Sequence, residues 1–214
     1  MKNILLSAIT LFTIIFSMSG RAEGISLGLH AGTLGYGIDA TYGISETFNI
    51  RGQYNTIDLD EDDTDGGINY NYDLDWNTFG VLVDWHPFSG GFRLSAGYFI
   101  NNNELTGIGS GTNVEVGNSI YPGTVSLKSA VTFNSSAPYV GIGWGNAAEK
   151  NSRLSFMFEV GALFQGSPKV SLVETSTPSV VSQADLDVEA AQLEDDISGF
   201  DVYPVVTVGL AYQF

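Results

Sequence analysis

From Pro204 to Phe214 the chain alternates with a period of two, and this pattern constrains the fold more than any other feature. Pro204, Val206, Val208, Leu210, Tyr212 and Phe214 form one set; Val205, Thr207, Gly209, Ala211 and Gln213 form the other. Successive side chains of a β-strand point to opposite faces, so such a strand has one bulky apolar face and one small or polar face. The same division recurs in Phe92, Leu94, Ala96, Tyr98 and Ile100 against Arg93, Ser95, Gly97 and Phe99. It recurs again in Leu154, Phe156, Phe158, Val160, Ala162 and Phe164 against Ser155, Met157, Glu159, Gly161 and Leu163. Leu34, Tyr36, Ile38, Ala40 and Tyr42 read as a further apolar face. Lipid requires the first kind of face and a narrow lumen the second, which makes a transmembrane barrel the expected architecture.

The N-terminus reads as an export signal. Lys2 is a short positive region, Ile4 to Phe16 an apolar stretch, and Gly20-Arg21-Ala22 a small-residue cleavage site. Residues 1–22 are therefore expected to be a signal peptide and 23–214 the barrel, in the bacterial outer membrane. After residue 22 no run of 18 apolar residues occurs, so no spanning helix is expected, yet mean hydropathy is +0.10. Apolar residues are interleaved rather than clustered. All 24 Asp and Glu follow Ala22, whereas Lys2 and Arg21 precede the cleavage point. This excess of acid argues against nucleic-acid binding, which depends on clustered Lys and Arg. The chain has no cysteine, which excludes disulfides, thiolate metal sites and a lipid anchor on cysteine.

The pattern predicts an all-β, antiparallel, up-and-down barrel of about eight strands, near 25–32, 34–43, 48–59, 70–86, 92–103, 137–146, 153–165 and 202–214. Residues 25–43 also read as one long strand with a bulge at Gly32-Thr33. The connections at 44–47, 87–91 and 147–152 are short. They alternate with long ones at 60–69, 104–136 and 166–201, as periplasmic turns alternate with extracellular loops. Tyr42, Phe48, Trp85, Phe92, Trp144, Tyr212 and Phe214 fall on the short-turn side, where an aromatic girdle is expected. Residues 182–197 read as a short helix in the last long loop. Ser182 is its cap, Asp185 lies three residues on, and Leu186, Ala190, Leu193 and Ile197 form its apolar stripe.

Val-Thr-Val-Gly-Leu-Ala-Tyr-Gln-Phe at 206–214 resembles the C-terminal signature of small proteobacterial outer-membrane barrels, the class of the OmpA transmembrane domain, OmpX and OmpW. The resemblance implies that Leu210, Tyr212 and Phe214 are an assembly signal read by the barrel assembly machinery. Val-Asp-Trp-His-Pro-Phe (83–88), Gly-Gly-Phe-Arg-Leu-Ser-Ala-Gly (90–97), Ala-Pro-Tyr-Val-Gly-Ile-Gly-Trp-Gly (137–145) and Gln-Gly-Ser-Pro-Lys-Val (165–170) resemble exported barrel proteins that bring no substrate with them. Outer-membrane lipid and lipopolysaccharide are the expected surroundings, with a small solute or a surface partner open as ligand. No cofactor is expected.

Three constellations carry candidate chemistry. Asp39, Arg51, Asp84, Arg93 and Glu159 all fall on the small or polar face. If Tyr42 opposes Phe48, Asp39 meets Arg51; if Trp85 opposes Phe92, Asp84 meets Arg93. Such ion pairs would plug the lumen or gate it. Asp60, Asp62, Asp63 and Asp65 form an acidic run that offers carboxylates to a hard cation or is simply a solvated loop, and its spacing completes no EF-hand loop. His30 lies on a polar face and His86 in a turn. A lipid-modifying enzyme would need His30 beside an inward hydroxyl and a carboxylate. Three readings follow: a non-enzymatic anchor for surface loops, a passage for small solutes or apolar compounds, and a lipid A-modifying enzyme.

Overall fold

The computed structural model describes residues 24–65, 68–148 and 153–214. The signal-peptide reading falls outside these residues. The described residues form eleven strand segments: β1 (Ile25–Gly32), β2 (Gly35–Gly43), β3 (Phe48–Asp65), β4 (Ile68–Trp85), β5 (Phe92–Asn101), β6 (Glu104–Val116), β7 (Ser119–Thr132), β8 (Ser136–Trp144), β9 (Leu154–Phe164), β10 (Lys169–Glu174) and β11 (Val202–Gln213). Among the described residues, the helix α1 (Gln183–Asp196) and a 3-10 turn (Ser198–Asp201) precede β11.

Eight of the segments close a barrel in the order β4-β3-β2-β1-β11-β9-β8-β5, and β5 pairs back on β4. All of these pairings are antiparallel. The exterior is apolar, with Leu29, Val81, Ile142 and Phe156 each more than half exposed. The interior holds Arg51, Asp84, Arg93 and Glu159, each at most 3 % exposed. Apolar outside and polar inside is the distribution that a hydrocarbon solvent imposes on a closed sheet. Residues 25–43 are two strands joined at Thr33-Leu34. Leu34 leaves the outward set expected for it and is 2 % exposed inside the barrel, because the turn rotates it inward. At the short-turn end Phe48 stacks on Trp85 (6.4 Å between centroids) and Tyr212 packs edge-on to Phe214 (5.2 Å).

The long connections differ from expectation. Residues 60–65 and 68–69 are strand rather than loop, since β3 and β4 run on as 18-residue strands. A tilted strand crosses a bilayer in roughly 9–11 residues, so the upper part of this hairpin projects beyond it. Residues 104–136 are not a loop either. β6 continues the line of β5 along β4, which pairs with β5 over 78–85 and with β6 over 69–75. In the same way β7 lies beyond β8, and β10 beyond β9. Three long strands are thus broken at the barrel rim, and above it they form a wing in the order β3-β4-β6-β7-β10.

A broken ladder leaves backbone groups without partners, and these must be met in other ways. Amide side chains meet them at the rim. Asn103 Oδ1 accepts from Asn77 N–H (3.0 Å), Asn101 Oδ1 from Asn103 N–H (3.2 Å), and Gln165 Nε2 donates to Phe200 O (2.9 Å). Asn101, Asn103 and Gln165 are all buried. The run Asn101-Asn102-Asn103 marks the break in sequence, because amides both donate and accept.

The helix forms where expected. Ser182 caps it and accepts from Asp185 N–H at 3.1 Å. It packs on β10 and β6 of the wing, with Leu186 joining Val116, Val125 and Val181 in a small core. Its acids serve as anchors. Asp185 accepts from the hydroxyls of Tyr121, Ser182 and Ser119, Glu189 from Gly117 N–H (2.8 Å), and Glu194 from Val170 N–H (2.8 Å). The Tyr121 hydroxyl, then that of Ser182, hold the Asp185 carboxyl below the usual aspartate value. A depressed carboxylate stabilises the docked helix above its ordinary pKa and loses that effect as pH falls through the lowered value. Acidification below about pH 3.8 is therefore expected to loosen α1. Pepsin cleavage within 183–196 should accelerate between pH 4 and pH 2 (roughly the window of a depressed aspartate) more than cleavage in the barrel does. Asp185→Asn should raise amide exchange in α1 at neutral pH. Equal exchange in the two proteins would remove the anchoring role of Asp185.

Candidate functional site

The lumen holds the densest chemistry among the described residues. Alternation turns odd-numbered residues of β3 and even-numbered residues of β4 inward, and the register decides which of them meet. Arg51 Nε donates to Asp84 Oδ2 (3.0 Å), its Nη2 to Asp84 Oδ1 (3.0 Å) and to Glu159 Oε2 (2.7 Å). Arg93 reaches the same Glu159 oxygen from Nη2 (2.6 Å) and Nε (3.0 Å), and donates from Nη1 to Gly145 O (2.7 Å). Ser95 donates to Asp84 Oδ1 (2.6 Å) and Tyr139 to Glu159 Oε1 (2.5 Å). The network ties β3, β4, β5, β8 and β9 together across the interior. Planar guanidiniums suit it, because two parallel donors fit one carboxylate.

The register differs from the pairings expected from sequence. Trp85 opposes Leu94, not Phe92, so Asp84 opposes Ser95 and bonds Arg51 rather than Arg93. Tyr42 opposes Ile50, not Phe48, so Asp39 opposes Gln53. Asp39 pairs instead with His30 Nδ1 at 2.8 Å. His30 Nε2 lies 2.7 Å from Asn55 Oδ1, and Gln53 Nε2 donates to that same oxygen at 3.0 Å. His30 thus faces a carboxylate at one ring nitrogen and the amides of Asn55 and Gln53 at the other. The lumen carries Arg51 and Arg93 beside Asp84 and Glu159, and buried charges need such mutual pairing.

Above this layer, toward the rim, lies an apolar cluster of Leu34, Leu82, Phe99, Ala137, Tyr139, Leu163 and Val205. Phe99 packs edge-on to Tyr139 (5.4 Å, 71°). Gly141 and Gly161, cross-strand partners, leave room for the Tyr139 hydroxyl, which a Cβ on either would meet. At the turn end Asn49 bonds Asn146 (3.2 Å) and His86 (3.1 Å), and His86 Nδ1 bonds Gly90 O (2.9 Å). His86 is 1 % exposed, so it is a floor residue of the lumen rather than an interfacial one. The sequence reading missed Tyr139, Gln53 and Asn55. Their inward parity was the available signal.

His30 meets a carboxylate, but among the described residues no hydroxyl hydrogen-bonds it; its second nitrogen faces the amides of Asn55 and Gln53. A nucleophile–base pair needs the hydroxyl there. The acidic run does not converge as a loop would. Asp60 and Asp62 share one face of β3 while Asp63 lies on the other, and Asp65 is the last residue of the strand. Asp62 accepts from Asn71 (2.7 Å) and Asp63 from Thr64 N–H (2.8 Å). The carboxylates that do gather are Asp58, Asp60 and Asp73, all exposed and within 4.8 Å of one another. Asp58 opposes Asp75 and Asp60 opposes Asp73 on the outward face, like-charge pairs that strain the ladder. Leu210, Tyr212 and Phe214 are exposed on the outer side of the barrel, and Phe214 N–H bonds Ile25 O (3.0 Å).

No protein-family model matches the sequence, and no curated protein matches it either. Solved structures do match. Acinetobacter baumannii CarO2 superimposes with a TM-score of 0.61 at 23% identity, over 91% of this chain and 100% of that one. Acinetobacter baumannii CarO gives 0.59 at 22% identity, over 89% and 98%. The likeness is one of fold: the chain has the architecture of a small proteobacterial outer-membrane barrel.

Proposed function

We propose that this chain is a non-enzymatic integral outer-membrane protein whose closed barrel anchors the wing for envelope structure or surface interaction. The observation that carries the reading is the network of Arg51, Asp84, Arg93 and Glu159, which fills the lumen beneath the apolar layer of Leu82, Phe99, Tyr139 and Leu163. An eight-stranded barrel is just wide enough for side chains to fill, so two such layers leave no aqueous path. Lipid and lipopolysaccharide contact the exterior in this reading, and the barrel assembly machinery reads Leu210, Tyr212 and Phe214 during insertion.

Single-channel recording of the folded protein in a planar bilayer tests it. Silence is expected, with heat-modifiable gel mobility confirming a folded barrel. Steady openings that change when Arg51 or Arg93 is neutralised would make the lumen a path for small solutes, and would sink the closed-anchor reading.

A further inference from the structure

We propose that the lumen-side face of the wing, with α1 as one wall, is a binding site for a small organic cation: a primary ammonium on an apolar or aromatic body. The proposal rests on the anchor reading above and gives its interaction surface a ligand class. A cavity of about 330 Å³ lies there between β4, β6, β7, β10 and the helix. That volume fits a small ligand.

The floor is set by two cross-strand pairs, Tyr72 with Gly107 and Tyr70 with Gly109. The glycines raise no side chain, and the Tyr72 ring lies against Gly107, whose Cβ would meet its Cδ1 at 3.4 Å. Tyr70 stacks parallel to it at 5.7 Å and 6°. Val125, Leu127, Leu172 and Leu193 form apolar walls. Among the described residues no Lys or Arg lines it, and its acidic side chain is Glu189, held in place by Gly117 N–H at 2.8 Å. Glu115, past the register shift in β6, shares the opposite face with the exposed Ile120.

Aromatic faces beside a carboxylate attract a cation by quadrupole and by charge, and the apolar walls take the body that carries it. The same carboxylate repels an anion of identical shape, and the net charge of −16 adds to that discrimination at longer range. A ligand with an ammonium at one end and a ring at the other meets every part of the cavity.

The test uses the full chain, folded in detergent micelles, and two probes of matched length: 2-phenylethylamine and 3-phenylpropionate at pH 7. Binding is followed by saturation-transfer NMR with empty micelles subtracted. The amine is expected to saturate and the acid to show no binding. Glu189→Gln and Tyr72→Leu are each expected to weaken the amine about fivefold, the effect of losing one cation contact. Gel mobility shows whether each variant has folded, and Glu189→Gln keeps an amide oxygen that can accept from Gly117 N–H. Equal binding of acid and amine, or an affinity unchanged in both folded variants, overturns the site. A silent bilayer with no amine binding removes the site and leaves the anchor. A conducting protein that binds the amine removes the anchor and leaves the site.

Discussion

Glu159→Ala is expected to destabilise the folded barrel by about 3–5 kcal/mol, the range found when one partner of a buried ion pair is removed. Glu159 is 3 % exposed and accepts from Arg51, Arg93 and Tyr139. Its loss leaves Arg93 with Gly145 O as its remaining acceptor and leaves the Tyr139 hydroxyl unpaired. Arg51 retains Asp84 and suffers less. Glu159→Gln keeps an acceptor but not the charge, so an intermediate loss is expected. Urea unfolding of the reconstituted protein, read by the gel shift between folded and unfolded forms, measures both. A loss below about 1 kcal/mol would show that water replaces the carboxylate freely, and the ionic layer would then be no barrier of its own.

Phe99→Ala should cost about as much, roughly 3–5 kcal/mol, through a different mechanism. The ring is 2 % exposed in the apolar layer, and its deletion leaves a cavity that the sheet cannot collapse to fill. Gly80 gives it room; a Cβ there would press on the ring itself. Phe99 touches Tyr139, and Tyr139 donates to Glu159, so the two substitutions are coupled through one side chain. The double variant should therefore lose measurably less, or more, than the two singles added together. Strict additivity would mean that the apolar and ionic layers act independently. On the closed-anchor reading the untouched layer still blocks the lumen, so either single variant is expected to remain silent in a bilayer.

The barrel was legible in the sequence because a strand between lipid and a filled lumen must alternate without interruption. Phe156, Phe158 and Val160 against Met157, Glu159 and Gly161 could be assigned to faces from parity alone. The partners could not. Parity is unchanged when a register slides by two, and the segment between β4 and β5 set Trp85 against Leu94 rather than Phe92. That slide put Ser95 opposite Asp84 and freed Asp84 for Arg51, while Arg93 turned to Glu159 on a strand 66 residues away in sequence. Asp39 met His30 for the same reason.

The wing was illegible for the opposite cause. Gly107, Gly109 and Gly111 occupy one face of β6, and Thr106, Ile108 and Ser110 the other, so hydropathy shows little contrast between them. Neither face meets lipid, and nothing forces the pattern. The helix was visible because capping is local: Ser182 and Asp185 are three residues apart wherever they occur. Its docking was not visible, since nothing in the sequence marks Glu189 and Glu194 as hydrogen-bond anchors for Gly117 and Val170.

The breaks at the rim separate two inheritances. Ile100 and Ser136 are direct cross-strand partners, and so are Phe164 and Val202. Everything between the members of each pair departs from the barrel and returns to the same spot, about 5 Å from where it left. The membrane-embedded part is therefore indifferent to what stands between them. Excursions there can lengthen, shrink or change chemistry while the lumen packing and the lipid-facing belt stay as they are. Such a protein is free to diversify its outer surface quickly upon an unchanging socket.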